Sequence, residues 1–304
     1  MATSSLTRTN PIAALTVALC VLWGASAARA QDASVAAGVN VRLVTGTFGS
    51  SQTTDVLYAP ATVRVDWRRF EFSASFPFVS VTDGTVLWSG GGYIPMQGAM
   101  SGASGAGVPM SANGVMGGMM GTPQPVTPPS GTLGTIAPTL ISSSGFGDII
   151  AAAGYRVVDG SGGLQVVVGA RVKIPTASSA KGLGTGETDM AATVSVRRRL
   201  NRGWFYADGG VVKVGDPAGV TLTDAALWGV GGGRQLSSRV FLLVSAYGNT
   251  ATIPEFGAPA EVSAGLGYKL SDRASLTVMP LVGLTNASPR YGITFGMTND
   301  MMRR

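Results

Sequence analysis

Chemistry in this sequence would have to come from charged side chains that recur at every second position. Arg64, Asp66 and Arg68 alternate with Val63, Val65 and Trp67; Glu71 lies between Phe70 and Phe72; Arg171 and Lys173 alternate with Ala170, Val172 and Ile174. Arg42, Asp148, Asp189, Glu261 and Arg290 sit in comparable settings. What these groups can do is narrowed by what is missing. The chain has no histidine, and its single cysteine is Cys20. A Ser-His-Asp triad is therefore excluded, and so are the His and Cys sets that hold zinc. No catalytic residue, metal site or cofactor is expected. Charged groups confined to one face of a strand suit a polar path through an apolar surround, where rings of charge set selectivity.

The elements that position these groups follow from the same spacing. Period two over about ten residues means β-strand. Such segments occur at 33–44, 56–68, 70–78, from 146 onward, 164–174, 189–199, 204–214, 224–235, 239–248, 260–269, 273–284 and 290–297. Each has one nearly continuous apolar face, as in the row Phe70, Phe72, Ala74, Phe76 and Phe78. Strands of this length and pattern fit an all-β, antiparallel, up-and-down barrel of about twelve strands that crosses a membrane. The links support this over a soluble sandwich. Short turns near Arg68, Gly160, Asn201, Ser237 and Ser271 alternate with longer loops that start near Thr45, Gly84, Thr176, Gly215 and Asn249. Outer-membrane barrels of Gram-negative bacteria have short periplasmic turns and long outer loops. Trp67, Phe70, Trp204, Phe205, Tyr206 and Tyr268 lie beside the short turns, where an interfacial aromatic girdle is expected.

Composition agrees. The chain of 304 residues has 44 glycines, only 12% charged residues and a mean hydropathy of +0.29. Its start reads as a secretory leader: Arg8, an apolar run over 12–23, then Ala28-Arg29-Ala30 as a small-x-small cleavage site. The expected organisation is a leader at 1–30 and a barrel at 31–304. Loss of Arg8 and Arg29 lowers the net charge from +6 to +4. The basic residues that remain are spread along the chain, so nucleic acid is not an expected partner. The expected partners are the lipid bilayer of the outer membrane, a small-molecule solute and the barrel-assembly machinery.

Two segments break the alternation. Residues 84–144 are rich in Gly, Ser, Pro and Met and nearly uncharged, and form a long loop placed outside the barrel or folded into it. Its methionines, Met116 and Met119 among them, are soft enough to bind Cu(I) but lack tight spacing. The more economical reading is a flexible loop that sits outside or folds into the lumen as a constriction lined by adaptable thioethers, with simple disorder of the same composition left open. In the second segment, Gly182-Leu183-Gly184-Thr185-Gly186 lacks the strand–loop–helix setting of a phosphate cradle. It reads as a loop bent by Gly184 and Gly186 over the barrel mouth, held by Lys181, Glu187 or Asp189. Inward charges form either a stiffening lattice of ion pairs or a cationic path for anions, with Arg64 and Arg171 mattering most. Arg68, Arg197 and Arg199 lie nearer the rim and read as solvated.

The stretch VKIPTASSAKGLGTGETD, preceded by SGFGDIIAAAGYRV, resembles a family of outer-membrane transporters of the phenol-degradation (MetA-pathway) type. Later pieces follow in order, GDPAGVTLTDAALWGVGGG and then LSDRASLTVMPLVGLTNASPRYGITFGM. The resemblance covers roughly 144–297 and implies an outer-membrane barrel and uptake of small apolar or aromatic compounds. The chain departs from the pattern in its Gly/Met insert and in ending Met301-Met302-Arg303-Arg304 rather than on an aromatic residue. Two alternatives stay open: a porin-like channel favouring small anions, and a non-transporting structural or adhesive barrel.

Overall fold

Alternating residues become strand along nearly the whole described chain. The computed structural model describes residues 33–48, 53–84, 87–88, 125–126, 141–160, 162–179, 183–216, 222–252 and 257–302. The expected leader at 1–30, Met116, Met119, Lys181 and the two terminal arginines lie outside those residues. The strands are β1 (Ala33–Gly46), β2 (Thr54–Trp67), β3 (Phe70–Gly84), β4 (Leu87–Trp88), β5 (Pro125–Val126), β6 (Ile141–Phe146), β7 (Ile149–Asp159), β8 (Leu164–Ile174), β9 (Asp189–Leu200), β10 (Gly203–Lys213), β11 (Ala225–Gln235), β12 (Val240–Asn249), β13 (Ala260–Lys269), β14 (Ala274–Gly283) and β15 (Tyr291–Met302).

β4 and β5 pair with each other. The rest form one antiparallel sheet in which sequence neighbours are spatial neighbours, and β1 pairs with β15 to close it. β6 and β7 share one place beside β3. β6 pairs with its outer part (Phe78 opposite Phe146), and β7 with its inner part (Phe72 opposite Ala153). The result is a closed barrel of twelve staves. One stave begins earlier than its pattern suggests: β6 starts at Ile141, not at Phe146. Its run Ser142-Ser143-Ser144-Gly145 has no apolar alternation for a reader to catch. Beside it, Pro60 of β2 faces Pro77 of β3, so two residues without an N–H meet in that ladder.

Exposure divides the two faces. Leu43, Phe72, Phe76, Val194, Val230, Val244, Leu266 and Phe295 are exposed, and they come from strands all round the barrel. A soluble monomer rarely shows a contiguous apolar patch above a few hundred Å²; a full apolar ring is a lipid-facing surface. The other parity faces inward. The strand ends joined by the short turns after β2, β7, β9, β11 and β13 lie at the same end as Ala33 and Met302, and the strand ends joined by the longer links lie at the other.

The expected girdle needs one correction. Phe205 and Tyr268 are exposed on the outer face, and Trp67 stacks on Phe70 there, with centroids 5.9 Å apart. Trp204 and Tyr206 instead point inward and stack on each other at 6.1 Å. They lie flat against β11, where a Cβ on Gly231 would fall 2.6 Å from the Tyr206 ring and one on Gly233 would fall 2.6 Å from the Trp204 ring. Glycine is required there because the rings occupy the side-chain space.

A candidate solute path inside the barrel

The inward charges gather at three places. The first is a belt nearer the short-turn end. Glu71 comes inward at the start of β3 and is buried. Arg64 lies 3.2 Å from it, Arg156 3.3 Å and Arg197 3.1 Å. Arg64 also pairs with Asp66 at 3.0 Å, and Arg156 donates to the Arg68 carbonyl at 2.6 Å. Three guanidiniums on one carboxylate tie neighbouring staves together, since the arginines come from β2, β7 and β9 and the carboxylate from β3.

The second place is a chord in the half nearer the long links. Nη2 of Arg42 on β1 donates to both oxygens of Glu261 on β13 at 2.6 Å. Its Nη1 donates to Tyr247 Oη on β12, and its Cζ stands 5.9 Å from the Tyr247 ring centre. The Arg42 and Glu261 side chains are 4% and 1% exposed, so this part of the interior is filled, not open. Phe241, Leu243, Met279 and Trp204 pack below it.

The third place is the mouth. Lys173 and Asp189 are cross-strand partners at the base of the 175–188 loop. Lys173 Nζ lies 2.9 Å from Asp189 and 3.4 Å from Asp148, and donates to Thr185 Oγ1 at 2.9 Å. Asp148 also accepts the Ala177 N–H at 2.9 Å, and Asp189 accepts that of Gly215. The described parts of the loop, 175–179 and 183–188, are therefore drawn over the barrel end. Gly184 passes so close to Asp148 that a Cβ there would meet its carboxylate oxygens at 2.8 and 2.9 Å. Gly186 turns the chain at φ +78°. The loop's Leu183 is buried in an apolar cluster with Phe48, Val44, Val56, Tyr58, Val79, Val81, Ile150 and Leu281. Two loops, one carrying Phe48 and one carrying Leu183, thus place apolar residues across the interior just inside the mouth.

Between this cluster and the Glu71 belt lies a cavity of about 90 Å³. Small and polar residues line it, among them Thr62, Ser73, Ser75, Ala152, Gly169, Thr193 and Ser195, together with Arg64, Arg171 and Arg197. Water fits there. An aromatic ring does not without side-chain movement, since a cavity that holds benzene measures about 150 Å³.

Most of the inward residues expected from the sequence are brought together here: Arg42 with Glu261; Arg64 with Asp66 and Glu71; Asp148, Lys173 and Asp189. Arg171 lines the cavity with Arg64 and Arg197, and Asp208 acts on it electrostatically. Arg290 is a correction. It is exposed in the link before β15, outside the interior, because the strand starts one residue later at Tyr291. Arg197 is another: it is 5% exposed and tied to Glu71, not solvated at the rim. Of the loop candidates, Glu187 offers Thr185 only its backbone N–H, at 3.2 Å, whereas Asp189 holds the loop base. Two residues were missed. Tyr247 carries no charge to mark it. Asp208 is followed by Gly209 and Gly210, which leave the alternation without side chains to read; the structure places it inward and buried.

The fold and this filled, charged interior define the chain as a β-barrel of the outer-membrane type. A solved outer membrane channel from Pseudomonas putida F1 superposes with a TM-score of 0.61 at 11% identity, covering 91% of this chain and 98% of that one. The NanC porin aligns over 86% of this chain and 98% of its own, at 8% identity and a TM-score of 0.49. No protein-family model and no curated protein matches the chain. At these identities the likeness is one of fold.

Proposed function

We propose that this barrel is an outer-membrane channel for passive uptake of small apolar or aromatic compounds, of the kind handled by the phenol-degradation transporters its sequence resembles. The observation that carries the reading is the mouth. A wide water-filled pore is not what Phe48, Leu183, Tyr58 and Ile150 build; they form an apolar constriction. Constrictions of this kind dewet and block hydrated ions, while an apolar solute loses little on entering. The 175–188 loop and the ring-excluding cavity make passage a gated event, in which Leu183 and its neighbours move aside as the solute enters. The same reading places the short turns in the periplasm and the long links outside the cell, with the leader removed near Ala30.

A second reading rests on Arg64, Arg171 and Arg197 beside the cavity: a narrow channel favouring small anions. Planar-bilayer recordings separate the two. The apolar reading expects little or no steady conductance, with cells that make the protein gaining permeability to toluene-like compounds. Steady conductance with an anion-selective reversal potential favours the second reading. Absence of both permeabilities refutes each.

A further inference from the structure

Among the described residues of β9 to β12, the two ends of the barrel differ in charge. On β9 to β12, the short-turn end carries Arg198, Arg202, Arg234 and Arg239, all exposed. Arg198 and Arg234 have outward parity and sit on the lipid-facing wall. Arg198 is level with exposed Phe205, and Arg234 is level with exposed Leu242. Arg202 and Arg239 lie in the turns just below them. No aspartate or glutamate shares this outer face among the described residues of β9 to β12; Asp208 points inward and is buried. Among the described residues of these same strands and their links, the long-link end has exposed Asp216 and Asp224 against Lys213.

We infer that this arginine face is a binding site for the phosphate groups of anionic glycerophospholipids in the periplasmic leaflet. A guanidinium matches a phosphate with two parallel N–H donors. Arginines flanked by exposed Phe205 and Leu242 lie where acyl chains give way to head groups, which suits a ligand with both parts. The aromatic belt is continuous with the site: Arg239 donates to Tyr268 Oη at 3.3 Å. Arg198 and Arg234 are two strands and two residues apart, roughly 12 Å by strand geometry, enough for two separate phosphates. The site rests on the outer-membrane orientation given above, in which the short turns face the periplasm.

The test is native mass spectrometry of the full chain in non-ionic detergent, with equimolar phosphatidylglycerol and phosphatidylethanolamine of identical acyl chains. The wild-type protein retains phosphatidylglycerol at least about tenfold better, as the arginines act on anionic head groups at two neighbouring positions. The variant R198Q/R202Q/R234Q/R239Q falls to within about twofold of parity, and R68Q/R69Q, changed on the β2–β3 turn, keeps the preference. Because the four arginines are exposed, the variant folds; heat-modifiable migration checks this. Parity in the wild type, an unchanged quadruple variant or equal loss in R68Q/R69Q overturns the site. A wild-type preference for lipid A over phosphatidylglycerol, abolished in the quadruple variant, overturns the periplasmic assignment. The conductance and permeability results for the channel do not depend on any of these outcomes.

Discussion

Lys173→Met tests whether the mouth is held shut by one buried ammonium. Lys173 is 5% exposed, with Asp189 at 2.9 Å, Asp148 at 3.4 Å and the Thr185 hydroxyl at 2.9 Å. Methionine fills a similar volume but removes the charge, leaving two buried carboxylates facing each other. Breaking a buried pair by removing one partner costs about 3–5 kcal/mol. The strand pairs on either side stay intact, so most of that cost falls on the closed form of the loop. A loss of about 3 kcal/mol shifts the closed-to-open ratio roughly a hundredfold. A fluorophore on S179C, in the exposed part of the loop, reads the change as lowered anisotropy, and bilayer recordings read it as longer conducting bursts. Adding D148N and D189N to Lys173→Met removes the repulsion and moves both readouts back toward wild type. A folded Lys173→Met protein with wild-type anisotropy and a silent bilayer trace would refute the latch.

Other outcomes follow from the same geometry. Glu261→Gln leaves Arg42 buried with a neutral partner and lowers unfolding stability in lipid vesicles by about 3 kcal/mol; Tyr247→Phe, which removes one hydrogen bond, costs about 1 kcal/mol. Gly231→Ala puts a methyl 2.6 Å from the Tyr206 ring and costs about 1–3 kcal/mol, a loss that Tyr206→Leu in the same chain largely relieves. Phe76→Lys places a charge midway along a lipid-facing strand and destabilises by about 2–4 kcal/mol in vesicles, whereas Ser75→Lys, facing inward, does so by less than half as much; equal losses would mean that the faces are misassigned.

The strands were legible because lipid and interior impose opposite demands on adjacent residues. The run from Phe70 to Phe78 shows this without any further information. Depth was less legible. Arg197 lies a few residues from a turn and reads as a rim residue, yet Glu71, its partner, lies one residue into β3. Strands in such barrels tilt by about 35–45°, so distance from a turn along the chain does not give height in the barrel. The pairing of Arg42 with Glu261 could not be read either. Closure brings β1 beside β15 and places β13 within an arginine's reach, and only the closed ring fixes that separation. Glycine hid the rest: Gly209, Gly210 and the run Gly231–Gly233 erase the parity that would have put Asp208, Trp204 and Tyr206 inside.

The latch has an uncommon economy of parts. Lys173, Thr185, Asp189 and Leu183 all belong to the hairpin formed by β8, the 175–188 loop and β9; Asp148 comes from the neighbouring stave, the Gly215 N–H from the link after β10, and the pocket for Leu183 from β1, β2, β3, β7 and β14 with Phe48. A closure built this way is a cassette. Moved with its flanking strands into another barrel of the same circumference, it would need an acidic residue on the preceding stave, a backbone N–H beside Asp189 and an apolar pocket to receive Leu183. Over generations its loop can be lengthened, shortened or exchanged, while the arginine belt and the chord beneath it remain untouched.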